Sequence, residues 1–436
     1  MKKKYRIILY TSIFLLCVVA SIILVVKKSN SVYEEESKPK VVKHKSMLSM
    51  NLEQTAGSGD YKTVTQSSWP TEGYKFNAEL SKCENGSTLS WDDTKKAVIM
   101  QGNVSDKCYV YFDIWIPTIA DYCTSGTDLA TCVKNFGDQG PSVSNIYIHN
   151  SSLTNGAGDN SYRYAGANPN NFVCFGSDAS PCPIDNLYRI IGVFGENYHG
   201  ANGKQLVKLI KYDYMTTDEL GTDGDYSQTY KEWGMDSTYK GTYGDGERIG
   251  VYFWNNDAGT NTWSTSLLNK TNLNTNFINY LGTTWANKIA SVTWKVGGNT
   301  WANIGTKTSS VAYTNEITNP VTTNTTDNAT TYSAKIGLMY VSDYGFAASP
   351  DAWTLTMSSY NNTTATNNNW MYMGLYEWTI SRDADHSDDA FDVNCDGDVN
   401  HDGVNYGDGV RASFNLESSV SYVSGSGSMS DPIVIN

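Results

Sequence analysis

Residues 370–379 read WMYMGLYEWT, and residues 409–416 read GVRASFNL. An Asp/Asn/Gly-rich run from Asp392 to Gly409 lies between the two segments. The flanking segments carry the strongest indication of the fold, and the polar run contains the most plausible metal site in the sequence. The C-terminal part of the chain is therefore the place to look for both architecture and function.

Length and composition indicate a folded protein. A chain of 436 residues is long enough for two or three domains with at least one large core. Charged residues make up 18% and aromatic residues 12%, a balance that excludes a disordered polyelectrolyte or a coiled coil. Residues 61–436 carry 22 basic and 40 acidic side chains. This negative charge repels nucleic acid and favours cations and neutral ligands such as glycans.

The N-terminus has the pattern of a membrane anchor. An uncharged, mostly apolar run over residues 7–26 is flanked by lysine and arginine, and its length matches the roughly 30 Å of a bilayer core. We therefore expect a transmembrane anchor over residues 1–28 and a flexible stalk over residues 29–60, with a long signal peptide as the alternative. The expectation is a single-pass cell-membrane protein with an extracellular C-terminal body.

Seven cysteines follow the anchor, and six of them form three local pairs. This spacing is typical of disulfides, and no C-x-x-C zinc pattern is present. We predict the disulfides Cys83–Cys108, Cys123–Cys132 and Cys174–Cys182, and we expect Cys395 to stay outside a disulfide. The predicted disulfides favour an exterior location for the body.

A small β module is predicted over residues 61–115, and the Cys83–Cys108 disulfide is expected to cross-link it. Its four expected strands are residues 74–80, 88–91, 97–100 and 108–112, with Asn85-Gly86 as a turn. A helical connector is expected over residues 116–144, because apolar residues from Ile119 to Phe136 share a helical face.

The main domain is expected over residues 145–436. Residues 186–194 and 205–212 predict a strong hairpin, and residues 334–342 predict a further strand. The best helix is expected over residues 263–280, and the Asn/Thr-rich residues 311–331 are interpreted as a loop. Long loops around a few strands and helices indicate an α+β fold whose loops carry the binding surface.

Four motifs in the main domain occur in a recognisable order. They are YRIIG at 188–192, the helix beginning at Trp263, Glu377-Trp378-Thr379, and Gly409-Val410-Arg411 followed by Phe414 and Leu416. This order resembles the formylglycine-generating-enzyme-like branch of the C-type-lectin fold. The resemblance implies an α+β, C-type-lectin-like main domain behind the small all-β module and the transmembrane helix.

The same resemblance also has implications for catalytic activity. Enzymes of that branch use a pair of reactive, copper-binding cysteines, whereas the corresponding region here offers only Cys395. The resemblance therefore implies a non-catalytic, ligand-binding member in which Trp378 and Arg411 are core residues. The alternatives are a formylglycine-generating-type oxidoreductase and a structural envelope protein.

The acidic run matches most of a calcium-binding loop. Positions 1, 3, 5 and 9 of a D-x-[DN]-x-D-G pattern supply oxygen ligands, and the glycine at position 6 permits a sharp turn. The candidate ligands are Asp392, Asn394, Asp396, Asp398, Asn400 and Asp402. Position 12 is Gly403 where such loops carry an acid, and Asp402 or Asp408 is the expected substitute. The alternative is an acidic hairpin without a metal. Calcium is the one cofactor that the sequence suggests.

Two further groups of side chains are notable. His386 and His401 flank the acidic run and, with Asp388 or Asp389, have the types needed for a transition-metal site, although solvated loop histidines are commoner. A second group lies in a Gly/Asp/Ser-rich segment and is expected either to contact a ligand or to pack on its own domain. It comprises Tyr226, Tyr230, Trp233, Tyr239 and Tyr243.

Together these features predict a membrane-anchored extracellular protein of bacterial surface type. We expect it to bind a ligand or mediate adhesion through the main domain, without catalysis. The expected partner is a glycan or a protein, together with the membrane, and nucleic acid is not an expected partner.

Overall fold

A computed structural model of the chain describes residues 48–65, 68–103, 105–233, 238–244, 246–323, 329–361 and 368–436. The structure is mostly β-sheet, with 32% strand and 21% helix, and one sheet forms a half-barrel. The chain divides into two compact units, the first ending at Ile116 and the second spanning Pro117–Asn436.

Strands make up the framework of both units. In chain order they are β1 (Leu48–Glu53), β2 (Tyr61–Val64), β3 (Tyr74–Cys83), β4 (Thr88–Asp92), β5 (Ala97–Gln101), β6 (Cys108–Ile114), β7 (Ile146–Ile148), β8 (Tyr162–Tyr164), β9 (Phe172–Cys174), β10 (Leu187–Phe194), β11 (Leu206–Lys211), β12 (Tyr226–Thr229), β13 (Gly250–Phe253), β14 (Val292–Lys295), β15 (Thr331–Ala334), β16 (Ile336–Gly337), β17 (Glu377–Arg382), β18 (Asp389–Val393), β19 (Val399–Gly403), β20 (Gly407–Gly409), β21 (Ser413–Asn415), β22 (Tyr422–Ser424) and β23 (Val434–Ile435).

The helices are short by comparison. The α-helices are α1 (Leu129–Gly137), α2 (Pro141–Ser144), α3 (Thr217–Leu220), α4 (Tyr230–Trp233), α5 (Ile278–Ala286), α6 (Ser309–Tyr313) and α7 (Val341–Ala347). The 3-10 turns are Ile119–Asp121, Ile184–Asn186, Asn197–His199, Trp301–Asn303, Pro350–Thr354 and Met357–Ser359, and the π-helical segments are Leu268–Phe277 and Thr314–Thr318.

The first unit is a four-stranded sheet with a two-stranded hairpin. The sheet order is β2-β1-β6-β3, and β4 pairs with β5. Met50, Leu52, Val110 and Phe112 form its small buried core. All four predicted strands are present. Strand β1 was missed, because it falls inside the predicted stalk and pairs in parallel with β6, which lies more than fifty residues later in the chain.

The second unit is built on two larger sheets. The first has the order β16-β21-β11-β10-β8-β7, with β9 also paired to β10, and the second has the order β12-β13-β20-β17-β18-β19. Every residue of β10 and β11 is buried, which explains why their apolar sequences predicted the hairpin correctly. The second sheet contains β17, which begins with Glu377-Trp378-Thr379, and the strands of the acidic run, so it positions the candidate site, whereas β21 of the second signature segment belongs to the first sheet.

The predicted α+β, C-type-lectin-like fold class is wrong, because strands dominate the structure and the longest described α-helices span nine residues. The helix expected over residues 263–280 is π-helical from Leu268 to Phe277, where buried asparagines bond to backbone carbonyls instead of forming an apolar face. Its continuation α5 is interrupted at Gly282, where φ is +71°.

Two smaller expectations also differ from the structure. The segment 311–331, interpreted as a loop, begins with the end of α6 and a π-helical turn. The strand expected over residues 334–342 is reduced to β16, because the chain turns into helix α7 at Val341. In the connector, the helical elements are the 3-10 turn Ile119–Asp121, helix α1 and the short helix α2.

The structure does not support the predicted membrane anchor. None of the described helices combines the length and the apolar character needed to cross a bilayer. The segment to which the anchor was assigned, residues 1–28, lies outside the described residues, as does the stalk up to residue 47. The interpretation as a single-pass membrane protein with the membrane as a partner is corrected accordingly.

The three predicted disulfides are confirmed. Cys83 on β3 is bonded to Cys108 on β6, Cys123 to Cys132 on α1, and Cys174 on β9 to Cys182. Cys395 forms no disulfide with any residue that the structure describes. The local spacing of the six cysteines from Cys83 to Cys182 therefore predicted their pairing correctly.

Candidate functional site

Most of the acidic run lies in the β18–β19 hairpin at one edge of the second sheet, and its last residues form β20 in the same sheet. Its tip is a tight turn in which the Asn394 N–H donates to the Asp398 carbonyl at 2.9 Å and the Gly397 N–H donates to the Asn394 carbonyl at 2.9 Å. Gly397 has a φ of +96°, which glycine adopts without strain. The glycine expected at position 6 of a calcium loop therefore makes the turn that the pattern requires.

Several buried oxygen atoms at this hairpin lack a hydrogen-bond donor among the described residues. They are both carboxylate oxygens of Asp392, Oδ1 of Asn394, Oδ1 of Asp396 and Oδ2 of Asp408. Asp392 is 0% exposed and Asp408 is 1% exposed. Buried carboxylates are normally paired, because an unpaired ionised oxygen in the interior costs several kcal/mol. Such a set of unpaired acceptors is the arrangement that a bound cation would satisfy.

The charges of these carboxylates lie close enough to repel one another. Burial and the neighbouring carboxylates of Asp408, Asp402 and Asp398 hold the pKa of Asp392 well above its usual range. Burial and the charges of Asp402 and Glu377 do the same to the pKa of Asp408. A divalent cation among these groups would reverse this repulsion.

At the tip of the hairpin, burial and a neighbouring carboxyl group also raise a pKa, that of Asp398. Burial and a hydrogen bond with Asp396 raise the pKa of Asp398 to about 6. Asn394 donates its amide Nδ2 to Asp398 Oδ1 at 2.7 Å, while its own side-chain Oδ1 has no donor among the described residues. Asp398 therefore acts mainly as a partner that orients Asn394.

Neighbouring side chains hold the backbone of the tip in place. Tyr344 donates its hydroxyl to the Gly397 carbonyl at 2.7 Å, and Tyr372 donates to the Cys395 carbonyl. Both tyrosines lie outside the hairpin, in α7 and in the segment before β17. The conformation of the tip is thus fixed by the core of the second unit, as a preorganised site requires.

The structure separates the six predicted calcium ligands into two groups. Asp392, Asn394 and Asp396 have buried, unpaired oxygens, whereas Asp398 is engaged by Asn394. The remaining two, Asn400 and Asp402, are half-buried on β19, and Asn400 lies opposite Asp392 in the ladder.

Asp408 completes the set from another strand. It lies on β20, which pairs with β17 and not with the hairpin itself, and sequence reasoning named it only as a substitute for the missing acid at position 12. Its unpaired buried oxygen favours Asp408 over Asp402 in that role.

Residues of the two signature segments bond to one another and to a neighbouring strand in the core. Arg411 donates Nε to Glu377 Oε1 at 2.8 Å, and both side chains are at most 2% exposed. Trp378 is fully buried and donates its indole N–H to the Tyr252 carbonyl at 2.8 Å. Trp378 and Arg411 are therefore core residues, as the sequence predicted, and they fix β17 against its neighbours.

The predicted ligand-contacting aromatics are mostly held by their own domain. Tyr230 and Tyr243 are buried, Tyr226 and Tyr239 are half-buried, and the Tyr243 and Tyr239 hydroxyls donate to Asp185 and Asp213 at 2.8 Å. Trp233 differs from these four, since 41% of its surface is exposed. Its role in ligand binding stays a prediction.

Trp233 is connected to the acidic hairpin through one residue. Its ring centroid lies 5.8 Å from that of Tyr376. Contact with Cys395, burial and the charges of Asp392 and Asp396 raise the pKa of Tyr376. The exposed Trp233 ring is thus linked through Tyr376 to the hairpin that carries the candidate cation site.

Comparison of the chain with protein-family models, with curated proteins and with solved structures yields no match. The resemblance to the formylglycine-generating-enzyme-like branch stays a prediction. The assignment of a function therefore depends on the geometry of the site.

Proposed function

We propose that this chain is a non-catalytic binding protein whose second sheet holds a calcium ion at the β18–β19 hairpin. The observation that carries the proposal is the set of buried, unpaired oxygens of Asp392, Asn394, Asp396 and Asp408. Carboxylate and amide oxygens are the ligands that Ca²⁺ prefers, and a set of several such oxygens suits its variable coordination.

Calcium fits this site better than magnesium. Mg²⁺ demands near-octahedral geometry, gives up its waters reluctantly and is usually held by one or two carboxylates. Here Asp392, Asn394, Asp396 and Asp408 have buried oxygens without a donor among the described residues, and the charges of Asp408, Asp402 and Asp398 act on Asp392. A cation that accepts six to eight oxygen ligands satisfies more of them.

The proposed ligand surface adjoins the ion. Trp233 is exposed and packs on Tyr376, whose side chain contacts Cys395 at the tip of the hairpin. Aromatic rings stack on sugar faces and anchor protein contacts. The net negative charge of the chain disfavours anionic ligands, so a neutral glycan or a protein segment is the expected partner.

A redox activity of the formylglycine-generating type has little support. Such chemistry needs two thiols at one site, and every described cysteine other than Cys395 is bonded in a disulfide. A single thiol provides neither a two-sulfur metal site nor a resolving partner. Binding without catalysis therefore remains the function that the arrangement of residues favours.

Calorimetric titration of the chain with CaCl₂ tests the proposal. We expect saturable binding of one ion at the hairpin and at least about tenfold weaker binding by the Asp396→Ala variant. Asp178→Ala is the matched control, because Asp178 is an exposed acid far along the chain from the hairpin. MgCl₂ should bind more weakly than CaCl₂.

Two results would count against this function. Absence of binding heat in the parent chain would mean that the acidic hairpin is only a turn. Equal loss of binding in Asp396→Ala and Asp178→Ala would place any calcium elsewhere on the acidic surface.

A further inference from the structure

A second cluster of potential metal ligands lies beside the same hairpin. It consists of Asp383, which follows β17, His386 in the next turn, Asp389 at the start of β18, and His401 on β19. The ligand atoms of Asp383, His386 and His401 all lie within 4.8 Å of one another. Asp389 Oδ2 approaches both histidines.

This cluster is distinct from the calcium site. Asp389 pairs with Gly403, Phe391 pairs with His401, and Asp392 pairs with Asn400 across the β18–β19 ladder. Because successive side chains on a strand point to opposite faces, Asp389 and His401 belong to one face of the hairpin and Asp392 to the other. The two groups therefore offer separate sites with different ligand chemistry.

The four histidine–aspartate distances in the cluster are close to those between the ligands of a tetrahedral ion, although Asp389 lies outside the group of three whose ligand atoms are within 4.8 Å of one another. His401 Nδ1 lies 2.8 Å from Asp383 Oδ2 and 3.5 Å from Asp389 Oδ2. His386 Nδ1 lies 3.3 Å from Asp383 Oδ2 and 3.8 Å from Asp389 Oδ2. A tetrahedral zinc ion with ligand bonds of about 2.0–2.1 Å separates its ligand atoms by about 3.3–3.4 Å. The four separations scatter around that value.

Hydrogen bonding alone does not explain the approach of His401. Its Nδ1 atom is buried and, although it lies 2.8 Å from Asp383 Oδ2, the contact lacks the alignment of a hydrogen bond. A nitrogen and a carboxylate oxygen that converge in this way are placed as two ligands of one ion would be.

The surrounding residues hold the cluster in position. The Asn261 side-chain amide is buried, and its Nδ2 donates to the backbone carbonyls of Asp383, His386 and Asp389 at 2.6, 2.7 and 2.8 Å. Trp301 stacks on the His401 ring, with centroids 5.0 Å apart and planes 14° apart. Three backbone positions and one ring are thus fixed by residues that are not ligands themselves.

We propose that Asp383, His386, Asp389 and His401 bind a transition-metal ion whose ligand preference is borderline between hard and soft, with zinc as the best match. Imidazole nitrogens favour zinc and its neighbours over calcium and magnesium, which take oxygen ligands. Two aspartates and two neutral histidines balance the charge of a divalent ion. Four protein ligands fill the coordination sphere of zinc, which indicates a structural ion that ties the end of β17 to the β18–β19 hairpin.

Titration of the chain with ZnCl₂ in the presence of saturating CaCl₂ tests this site separately from the calcium site. We expect one zinc ion to bind. We expect His386→Gln and Asp389→Asn each to weaken zinc binding at least about tenfold, because the loss of a residue that only hydrogen-bonds to a metal ligand already weakens binding by about that factor. His386 has a side chain that is 54% exposed, so its replacement is compatible with folding. His44→Gln is the matched histidine control and should bind zinc as the parent does.

Replacing zinc by cobalt reports the geometry. Bound Co²⁺ should show the intense visible bands of tetrahedral coordination in the parent chain and lose them in His386→Gln. Failure of the parent to bind zinc, equal affinity of the parent and both variants, or loss of binding in His44→Gln would each overturn the proposal. Because calcium is already saturating, none of these results depends on the calcium proposal.

Discussion

Replacing Asp343 by alanine is expected to destabilise the second unit by about 3–5 kcal/mol, because it leaves the buried Lys208 without its carboxylate partner and leaves Arg163 with Asp159 alone. Asp343 Oδ2 accepts from Lys208 Nζ at 2.5 Å, and Asp343 Oδ1 lies 3.5 Å from Arg163 Nη1. All three side chains are at most 2% exposed. Urea unfolding of the parent and the variant, followed by tryptophan fluorescence, measures the loss.

The size of this effect follows from the surroundings of Asp343. Burial alone would raise the pKa of its carboxyl, but the charges of Lys208 and Arg163 lower it, so the ionised form is the one the fold stabilises. Asp343 also accepts the Tyr340 N–H at 3.1 Å, at the start of α7. The variant therefore removes both a counter-charge and a helix cap.

Two comparisons distinguish a buried network from an ordinary ion pair. Arg248→Ala breaks a partly exposed pair with Asp185, at 2.8 Å, and should cost no more than about 1 kcal/mol. The double variant Lys208→Met/Asp343→Leu should cost much less than Asp343→Ala, because it leaves one buried charge fewer without a partner. A loss in Asp343→Ala as small as that in Arg248→Ala would show that water reaches the network.

Replacing Asp392 by asparagine is expected to have opposite effects with and without calcium. In EDTA the variant should be more stable than the parent by about 1 kcal/mol or more, because a buried carboxylate without a donor is replaced by a neutral group of the same shape. With calcium at 100 times its dissociation constant, the parent gains about 2.7 kcal/mol that the variant lacks. The order of stability should therefore reverse.

Thermal unfolding in EDTA and in CaCl₂ measures both halves of this prediction. Asp178→Asn is the control for the chemistry of the substitution and should track the parent in both buffers, because Asp178 is exposed. If Asp392→Asn were less stable than the parent in EDTA, Asp392 would have a stabilising partner already, and the reason for placing a cation there would be lost.

Local sequence patterns predicted many of the strands, above all where paired strands are close in sequence. The β10–β11 hairpin and the strands β3 to β6 are continuous apolar or alternating runs separated by turns, and all are present. Strand β1 was missed because its partner β6 lies far along the chain. The helix at residues 268–277 was misjudged because buried asparagines, among them Asn269 and Asn272, replace the apolar face that periodicity detects.

For the candidate site, the sequence likewise predicted the residues that are close together in the chain but not the contribution of those brought in by sheet pairing. The spacing of Asp392, Asn394 and Asp396 is local, and the structure places unpaired oxygens on all three. The contribution of Asp408 depends on the order β20-β17-β18 in the sheet, which no local pattern encodes. Asp383 was not considered as a partner of His386 and His401, although its spacing of three residues before His386 was a usable signal.

Anomalous diffraction from crystals of the chain soaked with Tb³⁺, a calcium substitute, would locate an ion bound at the β18–β19 hairpin. We expect a peak at the β18–β19 hairpin, at about 2.3–2.6 Å from oxygens of Asp392, Asn394, Asp396 and Asp408. Absence of a peak there, with the Asp392 and Asp408 carboxylates turned towards protein donors, would contradict the account.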